Sequence, residues 1–235
     1  MPIKAILIIL CALSLPKNLF AQKSYFVRAK ATYNFFAAND LKAAQQDMQR
    51  NLRGVGAETL ESFPPYFGMQ FQFLMPVKDS SEVNAGLYFE QFSTGGRIHY
   101  EDYSGEIGFD QILSSNAFGI MIEKNYKSKR RLNLSLNLGV SLIWTSYTLK
   151  TYGRIFDQKE SESVTYDGIT IGFTPGITLF REISNFTILG SVGYQICLPS
   201  TFKYNGATVR VTIFENTISP GIYGLRLGFG LGYKI

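Results

Sequence analysis

Between residues 132 and 144 the chain places a large apolar side chain at every second position: Leu132, Leu134, Leu136, Leu138, Val140, Leu142 and Trp144. The intervening positions hold Asn133, Ser135, Asn137, Gly139, Ser141 and Ile143, with Thr145 following, so all but Ile143 are small or polar. A period of two is that of a β-strand with one greasy face and one hydrophilic face. Strands of soluble sandwiches usually run about five or six residues, whereas a tilted strand needs about 9–11 to cross a bilayer. The stripe has the longer length and closes with a Trp. It predicts a membrane-spanning strand, and spanning strands must close into a barrel because an open edge leaves backbone groups unpaired in lipid.

The N-terminus predicts export. Lys4 precedes the apolar run from Ala5 to Leu15, followed by Pro16, Lys17, Asn18 and then Leu19-Phe20-Ala21 before Gln22. These are the three regions of a secretory signal peptide, residues 1–21, with cleavage after Ala21 and the barrel spanning residues 22–235. Leu10 stands before Cys11 where a lipoprotein signal needs a small residue, and cleavage there would split the apolar core. Removing the signal leaves Cys197 as the one cysteine, so no intramolecular disulfide holds the fold.

Hydrophobic residues make up 46% of the chain and its mean hydropathy is near zero. A barrel reaches such values by averaging a lipid face with a polar lumen. No mature segment carries 18 consecutive apolar residues, which excludes a helical membrane protein. The formal charge of +5 falls by two when Lys4 and Lys17 leave, too weak a balance to imply nucleic acid as a partner. Fourteen Tyr, 19 Phe and 22 Gly suit aromatic girdles and thin lumen positions.

Eight strands follow from the same alternation. In Tyr25–Phe36, the positions Tyr25, Val27, Ala29, Ala31, Tyr33 and Phe35 must face lipid, because the other face carries Arg28 and Lys30. A basic side chain at midplane on the lipid side costs roughly 2–4 kcal/mol. Further strands are expected at Tyr66–Leu74, Val83–Phe92, Asn116–Glu123, the segment at 132–144, Ile169–Phe180, Phe186–Leu198 and Tyr223–Ile235. Pro175 donates no ladder bond, so a bulge or bend is expected there. Connections near 76–82, 124–131 and 182–185 are short, while those near 37–65, 94–115, 151–168 and 199–222 are long. An up-and-down outer-membrane barrel has short periplasmic turns and long external loops. The expected fold is therefore an all-β, antiparallel, transmembrane barrel of eight strands. Strands three and four can extend beyond the bilayer through Ile98–Tyr103 and Glu106–Ile112, or these segments form an extra hairpin, which makes a ten-stranded count the alternative.

The final strand alternates Tyr223, Leu225, Leu227, Phe229, Leu231, Tyr233 and Ile235 with Gly224, Arg226, Gly228, Gly230, Gly232 and Lys234. Its pattern, with Arg226 and Gly228 followed by Leu231, Tyr233 and Ile235, resembles the C-terminal assembly signal of outer-membrane proteins, with Ile in place of the usual final Phe. Over residues 24–235 the chain resembles the small eight-stranded barrels of the OmpA, OmpX and OmpW type. This resemblance is one of pattern, and no motif selects a subfamily. It implies an outer-membrane location, lipid and lipopolysaccharide as surroundings, the barrel-assembly machinery as a partner during biogenesis, and a monomer.

Residues able to carry chemistry are few. His99 is the single histidine, in Arg97-Ile98-His99-Tyr100-Glu101-Asp102, on what the pattern makes a long loop. The resemblance implies one enzymatic reading, since some small barrels remodel lipid A with a rim His beside a Ser and an acidic residue; here these are His99 with Ser104, Glu101 or Asp102. The spacing has no catalytic signature, and a solvated loop histidine is the simpler reading. Glu101, Asp102, Glu106 and Asp110 lack calcium-loop spacing. No catalytic, cofactor or metal site is assigned, and Cys197 reads as an inward-facing filler.

Asn39 or Asp40 can cap a helix running to Arg53, stopped by Gly54 and Gly56, with Leu41, Ala44, Met48, Leu52 and Val55 along one stripe. Such a helix in the first external loop reads as a rim element, a lid or a docking face. Inward parity also gathers Arg28, Glu90 and Arg226, which are expected to form one lumen charge network, with Lys234 and Glu123 as a wetter second pair. The function expected is a non-enzymatic barrel with a filled or narrowly gated lumen, serving envelope structure, surface interaction or limited passage of small solutes. An accessory barrel of a transport or secretion machine is a further alternative.

Overall fold

The computed structural model describes residues 25–36, 39–52, 58–77, 82–102, 105–126, 128, 132–155, 158–213 and 216–235. The expected signal peptide lies outside them. In chain order the elements are β1 (Phe26–Phe36), helix α1 (Asn39–Leu52), β2 (Glu58–Ser62), β3 (Tyr66–Pro76), β4 (Val83–Glu101), β5 (Gly105–Tyr126), β6 (Asn133–Ile155) and β7 (Gln158–Ile183). They continue as β8 (Phe186–Cys197), β9 (Phe202–Tyr204), β10 (Ala207–Val209), β11 (Thr212–Ile213), β12 (Asn216–Thr217) and β13 (Gly224–Lys234).

Strands β3 to β8 pair antiparallel in sequence order, β1 pairs with β3, and β13 closes the ring between β8 and β1. Eight strands therefore form one closed up-and-down barrel, and the ten-stranded alternative falls away. Closure is tied off at both termini: Tyr25 and Ile235 exchange backbone hydrogen bonds of 3.2 and 2.8 Å. The outward positions Leu134, Leu136, Leu138, Leu142 and Trp144 are exposed, while Ser135, Gly139, Ser141, Ile143 and Thr145 between them are buried. The same exposure of apolar side chains recurs at Phe67, Met69 and Phe71 on β3 and at Leu225, Leu227, Phe229 and Leu231 on β13. A continuous apolar exterior on a closed barrel is the surface that a bilayer covers, with Trp144 at one boundary and Tyr126, Phe186 and Tyr233 at the other.

Two of the expected loops are strands. β4, β5, β6 and β7 have 19, 22, 23 and 26 residues, against 11 for β1, β3 and β13 and 12 for β8. At about 3.3 Å per residue the surplus carries the β4–β7 sheet on the order of 30 Å past the external ends of the short strands. The segments at 94–115 and 151–168 are this extension, with only residues 156–157 between β6 and β7. Above the membrane water solvates the outer face, so its positions need not be apolar. The alternation loses contrast there and reads as loop.

An exposed extension has two raw edges, and a short strand pairs with part of each. β2 pairs with β4, from Glu58 opposite His99 to Ser62 opposite Gly96, with a register shift between Thr59 and Glu61. β9 pairs with β7 at Asp167 and Gly168, and folds back on β10 through the Asn205-Gly206 turn, both residues at positive φ. Where they pair, β2 and β9 remove the template for strand addition by another chain, while β7 between Gln158 and Tyr166 pairs only with β6. Pro175 makes no bulge: β6 pairs through it without interruption, and β7–β8 skips Thr174 and Pro175 while keeping the same register on either side. The missing proline donor explains that gap.

Candidate functional site

Three layers fill the space inside the ring. Nearest the periplasmic end, Leu74, Tyr88 and Met121 pack together with Phe26 beside them. Above and among them lies a polar layer, and the external mouth holds the largest apolar core of the molecule.

The polar layer is built by residues of inward parity. Arg28 donates to Glu123 at 2.6 and 2.9 Å in a forked pair, both side chains fully buried, and Asn84 Nδ2 adds a 3.4 Å bond to Glu123. Arg226 lies 2.8 Å from Glu90 and donates through Nε to Asn34 at 3.0 Å. Glu90 also accepts from Thr32 at 3.4 Å and Gln70 at 3.1 Å, and Gln72 donates to Gln70 at 2.8 Å. Arg226 lies over the Phe92 ring at 5.2 Å.

The three-member network expected from sequence is thus two separate pairs. Arg28 takes Glu123 rather than Glu90, and Lys234 is exposed at the periplasmic rim with no ion pair to Glu123 among the described residues. The cause is the tilt and stagger of strands in a closed barrel, which make residues counted equally from their strand ends lie at different depths. Cross-strand register is the signal that finds the partners: Glu90 stands opposite Gln70, Gln70 opposite Lys30, and Lys30 opposite Gly230. Glu123, expected opposite Lys234, takes Arg28 instead, and Gln70 and Gln72 are members of the layer that counting from strand ends does not find.

Glycines of β13 make room for the basic side chains of β1. A Cβ on Gly230 would meet the Ala29 carbonyl and the Lys30 stem, and one on Gly232 would come within 3.0 Å of the Arg28 stem. Gly228 faces Ser191 in the same way. Within the expected assembly signal, Gly228 therefore points inward while Leu231, Tyr233 and Ile235 stand exposed on the outer face.

Apolar side chains pack together at the external mouth. Tyr66, Phe92, Leu113, Ile143, Tyr147 and Phe202 point inward and meet Val211, Ile213, Ile218 and Ile222 from the last external connection. Leu41 and Ala44 of α1 are buried in the same core, with Met48 packed against it. Asp40 fixes the helix by accepting from Leu41 N and from Ser219 N, each at 3.0 Å. Asp40 and the stripe of Leu41, Ala44 and Met48 fall where the sequence puts them; Arg53, Gly54, Val55 and Gly56 lie outside the described residues. Cys197 is buried here and donates to the Ile222 carbonyl at 2.9 Å, a structural contact. Fully burying a side chain such as Leu or Phe contributes roughly 1.5–3 kcal/mol, so this cluster holds α1 and the last connection to the barrel.

His99 lies on the outer face of the β4 extension, on a strand and not in a loop. Its ring nitrogens are 3.6 Å from Glu101, 3.9 Å from Glu106 and 3.5 Å from the Tyr152 hydroxyl. Burial, and then the Asp110 charge, hold the Tyr152 phenol above its usual range, which keeps it a protonated donor. Glu101 and Glu106 are shared with Arg154 at 3.2 and 3.6 Å. Asp102 stays in the β4–β5 turn, accepting from Tyr100 and from Gly105 N, and Ser104 lies outside the described residues. Arg97 forks onto Asp110 at 2.6 and 2.9 Å, and Ser146 donates to Asp167 at 2.6 Å. This face is a lattice of cross-strand polar pairs. Among the described residues no hydroxyl nucleophile stands in hydrogen-bond reach of His99 apart from that phenol.

No protein-family model and no curated protein matches the chain. Among solved structures it is similar to Neisserial surface protein A, 12% identical over 90% of this chain and 97% of that one, with a TM-score of 0.40. It is also similar to a major outer membrane protein of Thermus thermophilus, 10% identical over 90% and 99%, TM-score 0.45. A third is the N-terminal β-barrel domain of Pseudomonas aeruginosa OprF, 12% identical over 91% and 100%, TM-score 0.33. The closed eight-stranded antiparallel barrel with its apolar exterior rests on the strand pairing and exposure of this chain.

Proposed function

We propose that the protein is a closed, non-enzymatic anchor in the outer membrane, whose task is to hold the β4–β7 extension outside the cell as a rigid contact surface. The observation that carries this reading is the apolar core at the mouth, where α1 and the 209–222 connection pack against inward side chains of the barrel. A pore has to keep water along its axis, and an apolar core of this depth excludes it. The lower part of the extension packs on that core through Leu113, Tyr147, Leu149 and Tyr166, its outer face is polar and internally paired, and β2 and β9 pair with part of its edges. Such a sheet holds its polar face in a fixed arrangement, which suits recognition through side chains.

The partners this reading requires are lipid and lipopolysaccharide around the apolar belt, and an assembly machinery that reads Gly228, Leu231, Tyr233 and Ile235. The barrel acts as a monomer, and no cofactor is needed. Liposome swelling tests the closed state. Vesicles carrying the protein should swell no faster in small sugars or amino acids than empty vesicles, and rapid swelling would replace the anchor with a pore.

A further inference from the structure

Inward-facing charges between the periplasmic rim and the apolar mouth do not balance. Among the described residues they are Arg28, Lys30 and Arg226 against Glu90 and Glu123, and both carboxylates are already engaged by the two arginines. Lys30 has no ion pair within 4.0 Å. Its stem lies along Gly230 and Gly228, and it lines a cavity of about 50 Å³ between the charged pairs and the Pro175 gap.

The walls of this cavity are rich in unused donors. Tyr88 is 4% exposed, and its hydroxyl sits beside those of Ser141 and Thr174 without completing a hydrogen bond to either. The Thr174 hydroxyl is likewise buried without a partner. Ser191 also lines the space, as do Asn137 and Gln72, whose amides already donate to Thr178 and Gln70, and the Glu90 carboxylate held by Arg226. Loose hydroxyls and an unpaired ammonium around one small volume describe a host for an acceptor that carries one negative charge. A half-buried cation inside the barrel gains from a counterion, and a buried hydroxyl needs its partner too.

We propose that this cavity is a binding site for a small monovalent anion of the halide kind, held by the Lys30 ammonium with Tyr88 and Thr174 as hydroxyl donors. One such charge neutralises the layer. The volume suits an ion of chloride size with a water or two, since a water needs about 10–15 Å³ on the same measure. Tetrahedral oxyanions are too large and too highly charged for it. The site is separate from the external sheet and does not depend on what that sheet contacts.

Bromide and chloride are the probes. Crystals of the whole protein grown in sodium bromide should show an anomalous peak in the cavity beside Lys30. The thermal unfolding midpoint in detergent should rise with chloride at constant ionic strength, with gluconate as the replacement anion. Asn137→Asp puts a carboxylate into the same cavity with little change of shape, and should abolish both the peak and the chloride response while the barrel still assembles. Lys30→Met should abolish them as well. Absence of a bromide peak in the wild type, or a chloride response that survives in Asn137→Asp, overturns the site in favour of a neutral, water-filled cavity.

Discussion

The Arg28 guanidinium and the Glu123 carboxylate, 95 residues apart in sequence, meet through two hydrogen bonds of 2.6 and 2.9 Å inside the barrel. The pair joins the first strand to the fourth strand of the ring across the lumen, and neither side chain reaches solvent. Removing one partner leaves the other buried and uncompensated, which costs about 3–5 kcal/mol. Glu123→Ala should therefore lower the unfolding free energy in detergent by that amount. Arg28→Met with Glu123→Leu should recover most of the loss, because an apolar pair of similar volume carries no desolvation cost. Equal losses in the single and double variants would contradict this account of the pair.

The apolar exterior makes a second prediction. Leu136→Arg and Leu227→Arg place a charge in lipid at about 2–4 kcal/mol each. Both variants should lose the heat-modifiable band of folded barrel on gels. Ser146→Arg, on the outer face of β6 beyond Trp144 and in water, should keep it.

Gly230 makes a third. Its missing Cβ leaves room for the Ala29 carbonyl and the Lys30 stem, and backbone cannot give way as a flexible side chain does. Gly230→Val should assemble poorly in vivo and fold slowly into detergent, whereas Gly190→Ala, with open space at its Cβ, should behave as wild type.

The surroundings of His99 make a fourth. Protein in liposomes with lipopolysaccharide should release no fatty acid and transfer no acyl chain, since the histidine is flanked by carboxylates that Arg154 shares and by a protonated phenol. Turnover that disappears in His99→Ala would return the enzyme reading.

Much of this architecture is legible in the sequence, and the reason is the lipid. On Leu132–Trp144 and Tyr223–Ile235 the bilayer enforces apolar side chains at every second position, so parity follows from period alone and strand number is narrowed to eight or ten. Beyond Trp144 that pressure ends. Ile98 and Tyr100 alternate with Arg97, His99 and Glu101 on β4, a fainter pattern that allows an extension of the strand or a separate hairpin, and the strand continues through it. The helix was legible because Asp40 and the stripe of Leu41, Ala44 and Met48 are local signals; that it seats inside the mouth depends on Tyr66, Phe92 and Phe202, which are distant in sequence. Charge pairing was misread for a geometric reason. Inward parity says which side chains enter the lumen, but stagger decides who meets whom, and Arg28 reaches Glu123 while Glu90 keeps Arg226.

Current through planar bilayers tests the closed lumen most directly. Wild-type protein should give no steady conductance, because the charged pairs and the apolar mouth lie in series. Glu90→Ala combined with Leu41→Asp, which weakens both layers, should show discrete openings. A large, steady wild-type conductance, unchanged in that double variant, would contradict the closed anchor.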